Sequence, residues 1–167
     1  SITTRASDAA DGDRFLDLHA GTMSAAIVDT VTYWGLVPGT AYIARGELVL
    51  RDDTCESCPP VTGETAFVPN SADGSVEVRL ELPDAMARAT DRGAVAVVFD
   101  QLVVAGRVVA EHTDPDDLDQ TVYFPALTSS LQLDDDAPSP GPIVDVVHYA
   151  GLATGETYRM EMTLHER

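Results

Sequence analysis

The stretch HTDPDDLDQTVYFP, His112 to Pro125, holds an imidazole and a carboxamide eight residues apart around an acidic turn. Read with period two, its last strand puts Gln120, Val122 and Phe124 on one face and Thr121 and Tyr123 on the other. A buried glutamine left unpaired costs about 1–3 kcal/mol, yet its carboxamide is also an acyl donor. The same reading places Thr4 between Ile2 and Ala6, Asp29 between Ile27 and Val31, and His112 beyond Val108 and Ala110. AVAVVFDQLVV is apolar on both faces around Asp100, which implies a central strand carrying a buried carboxylate. Each residue has an ordinary structural role: Thr4 as a β-former, Asp29 bonding turn amides, His112 as a satisfied core histidine, Gln120 capping a strand. Together they supply a nucleophile, a base, tuning carboxylates and an acyl donor, which is the set that acyl transfer needs.

The elements that must position them are strands. SVEVRLEL (75–82) alternates cleanly, with Val76, Val78, Leu80 and Leu82 inward. Further strands are expected over 2–7, 14–19, 25–34, 41–51, 64–68, 94–104, 107–112, 119–124, 143–149 and 157–164, with one helical turn in 83–90. Turn signals such as VPGT, SADG, VAGR and PSPGP separate them. Many short strands at regular spacing predict an all-β fold, a sandwich or a barrel.

A repeat divides the chain. IVDTVTYWGLVPGTAYIARGEL (27–48) aligns without gaps on IVDVVHYAGLATGETYRMEMTL (143–164), with ten of 22 positions identical. This predicts a unit over 1–125 and the N-terminal part of an incomplete second copy over 126–167.

Composition narrows the function. The 167 residues carry a net charge of −18, which argues against nucleic-acid or anionic-membrane partners. No apolar run is long enough to span a bilayer, and any signal peptide or wall anchor is expected outside this chain. Cys55 and Cys58 lack two further ligands for zinc, so a small disulfide between them in an oxidising compartment is expected, with no metal site and no cofactor.

At this point the sequence resembles a known family, the immunoglobulin-like domains of Gram-positive surface adhesins that form an intramolecular Thr–Gln ester, also described as VaFE repeats. The resemblance rests on ITTRA, DTVTYWGLVPGTAY (29–42), VAVVFD (95–100) and VVAEHTDPDDLDQTVYFP (108–125). It implies an immunoglobulin-like β-sandwich in which Thr4 is the nucleophile, Gln120 the acyl donor, and Asp29, Asp100 and His112 the assisting residues. The family usually ends the VVF strand with Glu, where this chain has the shorter Asp100. In the second copy PALTSSL (125–131) resembles the opening strand, with Ser129 at the nucleophile position and Asp145 at the Asp position, but no later Gln follows. The resemblance further implies a self-cross-linked stalk domain, turning over once rather than acting as an enzyme. It would sit at the cell surface, wall-anchored through other regions, with neighbouring domains of the same protein as partners besides an unknown host ligand.

Three other readings compete. Acidic runs at 8–13, 114–119 and 134–136 suit a calcium-stiffened module without a covalent link, though none has EF-hand spacing. A hydrolase using His112 and the aspartates lacks a G-x-S-x-G elbow. Among covalent rivals, a Lys-based isopeptide is excluded because the chain contains no Lys, and a Cys–Gln thioester would need a buried-strand cysteine.

Overall fold

The computed structural model describes all residues except 17–24, 52–57, 85, 87–89, 91, 134–142 and 164–167. Alternation sets the strands, and β1 (Ile2–Asp8) buries alternate residues, Ile2, Thr4, Ala6 and Asp8. It pairs antiparallel with β2 (Ala26–Tyr33), which pairs in turn with β5 (Gly74–Glu81). The second sheet has the order β4-β3-β6-β7, built from β4 (Val61–Phe67), β3 (Tyr42–Leu50), β6 (Ala94–Val104) and β7 (Arg107–His112). A fifth strand, β8 (Thr121–Phe124), also pairs with β6.

The two sheets form a sandwich. Ile27, Val31, Val78 and Leu80 of the first pack with Ala44, Val98, Leu102 and Val122 of the second in one core. Two further strands, β9 (Ala126–Leu133) and β10 (Ile143–Ala150), form a separate two-stranded sheet. All ten strands and their packing make the chain all-β, as the patterning predicts.

Several elements differ from expectation. Over 14–19 the described residues form one parallel bridge, Phe15 to Tyr123, rather than a full strand. The last strand starts at Thr121; Gln120 still accepts from Val98 N–H of β6, whereas the Asp119 carbonyl turns to Ala6 N–H of β1. β8 is buried on both faces, Thr121 and Tyr123 included: Phe15 stacks on the Tyr123 ring, and Thr121 Oγ1 accepts from Arg51 and donates to the Asp117 carbonyl. Residues 157–163 form no strand: among the described residues none pairs with them as β4 and β6 pair with β3. The helical turn appears where Met86 N–H bonds to the Pro83 carbonyl and Thr90 N–H to that of Met86.

Candidate functional site

One edge of the eleven-residue strand β6 is shared by two partners. β7 pairs with 100–104 and β8 with 94–97, so the ladder breaks between them. His112 ends β7 directly opposite Asp100, and Gln120 precedes β8 with its carbonyl 3.0 Å from Val98 N–H. Imidazole and carboxamide therefore flank the same stretch of β6. The acidic turn between them is braced locally: Asp114 accepts from Asp116 N–H at 3.0 Å and Asp117 Oδ1 from Asp119 N–H at 2.8 Å. Arg14 donates to the Leu118 carbonyl and Arg51 to that of Pro115, each at 2.7 Å. β1 crosses this break, tied by Ala6 N–H to the Asp119 carbonyl at 2.9 Å, and its alternation aims Thr4 inward.

All five residues singled out in the sequence converge here. Gln120 Nε2 donates to Thr4 Oγ1 and, at 2.9 Å, to Asp100 Oδ2. His112 Nδ1 lies 3.2 Å from Thr4 Oγ1. Gln120, Asp29 and Asp100 are fully buried, and Thr4 nearly so.

A sixth residue, Asp117, belongs to the acidic run 114–119 that suits calcium in the sequence. Its Oδ2 stands 3.0 Å from His112 Nε2. A carboxylate there holds the proton on Nε2 and leaves Nδ1 free to accept from the Thr4 hydroxyl. The available signal was spacing: Pro115 and the Asx turns fold the chain back so that Asp117, five residues on, meets the ring.

Asp29 and Asp100 form a carboxyl pair. With both ionised, neither Asp29 oxygen nor Asp100 Oδ1 has a hydrogen-bond partner; one proton held between them supplies the missing donor. Burial raises the pKa of Asp29, opposed by its hydrogen bond with Asp100, the nearby Arg5 amide and His112. Burial, then the charge of Asp29 and the hydrogen bond with it, pushes Asp100 up to about 9 against the lowering effect of Thr4 and Gln120. The pair thus keeps a proton at neutral pH in a dry interior. Gly46, opposite Asp100 on β3, makes the room: a Cβ there would lie 3.2 Å from Asp100 Oδ1.

On the surface side, a hollow of ≈ 540 Å³ is lined by Thr3, Thr4, Arg5, His112, Asp117 and neighbouring residues. Cys58 is disulfide-bonded, while Cys55 lies outside the described residues. The acidic runs at 8–13 and 114–119 spend carboxylates on backbone N–H groups, including Asp8 to Ala10 and Asp13 to Phe15. The run 134–136 lies outside the described residues. Among the described residues no three His, Cys, Asp or Glu side chains converge as a metal-holding group. Ser129 lies on β9 opposite Val147, and Asp145 on β10 opposite Leu131.

The pattern of the family described as "T-Q ester bond containing domain" matches residues 1–124 and 128–167. No curated protein matches the chain. Among solved structures, the fold is similar to a bacterial adhesin from Mobiluncus mulieris described as containing intramolecular disulfide, isopeptide and ester bond cross-links. In one crystal form the TM-score is 0.58 at 13% identity, covering 90% of this chain and 74% of that one. In a second form it is 0.56 at 15% identity, covering 90% and 73%. At such identities the likeness is one of fold.

Proposed function

The chain belongs to the family of T-Q ester bond containing domains, and on that premise we propose that residues 1–125 form a structural domain of a cell-surface adhesin, fastened by an ester between Thr4 and Gln120. The observation that carries this reading is the contact of Gln120 Nε2 with Thr4 Oγ1 in a buried site, with His112 Nδ1 on the same hydroxyl.

The chemistry follows from the placement. Thr4 Oγ attacks Gln120 Cδ while its proton passes to His112 Nδ1. The Cδ–Nε2 bond breaks, and the departing nitrogen takes a proton from the carboxyl pair, which the imidazolium then restores. The net change is loss of one ammonia and gain of one ester. A neutral hydroxyl and an amide barely react in water; fixed contact supplies effective molarities of roughly 10⁵–10⁸ M. The hollow beside Thr4 and His112 gives ammonia a way out, while the buried carbonyl side keeps water from the product.

The reaction joins two side chains of one molecule, so it runs once per chain and the domain is not an enzyme in the turnover sense. Placing the last strand against the first suits a load-bearing stalk in a wall-anchored Gram-positive surface protein, whose neighbouring domains are its partners. Residues 126–167 belong to a second copy of the repeat. The calcium-stiffened alternative predicts instead a melting temperature that falls on chelation and no covalent link. The intact mass of the full chain, measured after reduction of its disulfide, tests the reading. It should fall short of the sequence mass by one ammonia, with a single peptide joining the segments around Thr4 and Gln120. A full sequence mass after complete folding overturns it.

A further inference from the structure

Thr121 takes no part in the bond-making steps, yet it is the residue next to the acyl donor. It starts β8 and pairs with Val97 of β6. Alternation turns its side chain to the opposite face from Gln120, and there it is fully buried. Valine would fill a buried strand position of this size and need no partner, so the hydroxyl calls for a reason. Both of its hydrogen bonds bear on the acidic turn. Thr121 Oγ1 donates to the Asp117 carbonyl at 2.6 Å and accepts from Arg51 Nη2 at 3.0 Å. The same Arg51 nitrogen donates to the Pro115 carbonyl at 2.7 Å.

The turn needs such a brace. His112 and Asp117, which meet at 3.0 Å, have side chains 22% and 24% exposed. A charged contact that open to water adds little hold of its own. Asp117 also stands among Asp114, Asp116 and Asp119, whose like charges push the turn apart. The groups that oppose this are anchored outside it. Arg51 is fixed on β6 by its own N–H, 2.9 Å from the Val95 carbonyl, and Thr121 is fixed by its place in the β6–β8 ladder. Hydrogen bonds donated by a guanidinium are about twice as strong as neutral ones.

We propose that Thr121 and Arg51 are positioning residues for ester formation. Through the main chain of the acidic turn they hold Asp117 against His112 Nε2, and so keep His112 Nδ1 on the Thr4 hydroxyl. Neither touches the reacting atoms. Consecutive residues thus set the place of the acyl donor and the place of the group that orients the base. The inference rests on the Thr4–Gln120 reading of the site.

The test follows ammonia loss against time in the full chain, recovered unlinked in denaturant and then refolded, by intact mass after reduction of the disulfide. Thr121→Val keeps the buried volume and removes the hydroxyl; it should slow the reaction roughly 10-fold. Thr121→Ser should restore most of the rate. Arg51→Ala, at an exposed position, should slow it in the same direction. Because Thr121 acts through Asp117, adding Thr121→Val to Asp117→Asn should slow that variant little further. A purely structural role would give no such non-additivity. Equal rates for the wild-type chain and Thr121→Val overturn the proposal, and so does a further loss of the same size in the double variant. If Thr121→Val fails to fold, Arg51→Ala alone and combined with Asp117→Asn decides in the same way. A wild-type chain that folds without losing ammonia overturns the Thr4–Gln120 reading and this proposal with it. A wild-type chain that reacts no faster than Thr121→Val overturns this proposal alone.

Discussion

At the residue scale, the groups that the proposed acyl transfer uses are each tuned by their surroundings. In the proposed reaction His112 acts through Nδ1 because Asp117 occupies Nε2 at 3.0 Å. Asp117→Asn should therefore slow ester formation by roughly 10–100-fold, read as ammonia loss against time after refolding. It should also shift the pH profile of the rate, and an unchanged rate and profile would remove Asp117 from the site. The carboxyl pair gives a second expectation, best read in Thr4→Ala, where no link forms. Below the unfolded value of 3.8, folded and unfolded chains both hold the proton and the pair costs nothing. Between 3.8 and about 9 the unfolded chain releases it while the folded chain keeps Asp100 protonated, so stability falls as pH rises. Above that window the loss stops growing. Denaturant melts of Thr4→Ala across this range should show the decline, and Asp100→Asn in the same background should flatten it. Thr4, Asp29, Asp100, His112 and Gln120 were legible because each interrupts an apolar face of a period-two strand. Asp117 was not, because it lies in a turn rather than a strand, where sequence alternation is silent about direction.

At the element scale, the decisive feature is the divided edge of β6. One long strand aligns the end of β7 and the start of β8, and β1 closes the break from the other sheet. Gly46 shows the same dependence on neighbours. A glycine inside a strand costs about 0.5–1 kcal/mol relative to alanine, yet here its missing Cβ leaves Asp100 its space. Gly46→Ala should leave the far-ultraviolet dichroism of a β-sandwich intact while slowing ester formation, because Asp100 must give by a few tenths of an ångström. Full-speed ester formation in that variant would sink this account. The strands themselves were mostly legible from alternation. The differences lie at 14–16, where Phe15 makes a single bridge, and at 157–163, whose apolar pattern suits a strand but which pairs with no strand among the described residues.

At the scale of the whole molecule, an ester from β1 to the residue before β8 closes almost the entire first unit into one covalent loop. By analogy with a disulfide closing a loop of about 100 residues, it should stabilise by roughly 4–5 kcal/mol. Gln120→Ala should therefore melt on the order of 15 °C lower and digest faster than the linked protein, as scanning calorimetry and timed proteolysis would show; equal melting and digestion would contradict the fastening role. Sequence alone determined the β architecture and singled out the five residues that meet at the site, because alternation along a strand is a local property of the chain. Only the tertiary structure decided that Thr4 meets Gln120 across 116 residues and that Asp29 and Asp100 share a dry space. Contact between distant strands depends on which sheet each joins and on what its neighbours leave room for, and no local pattern carries that information.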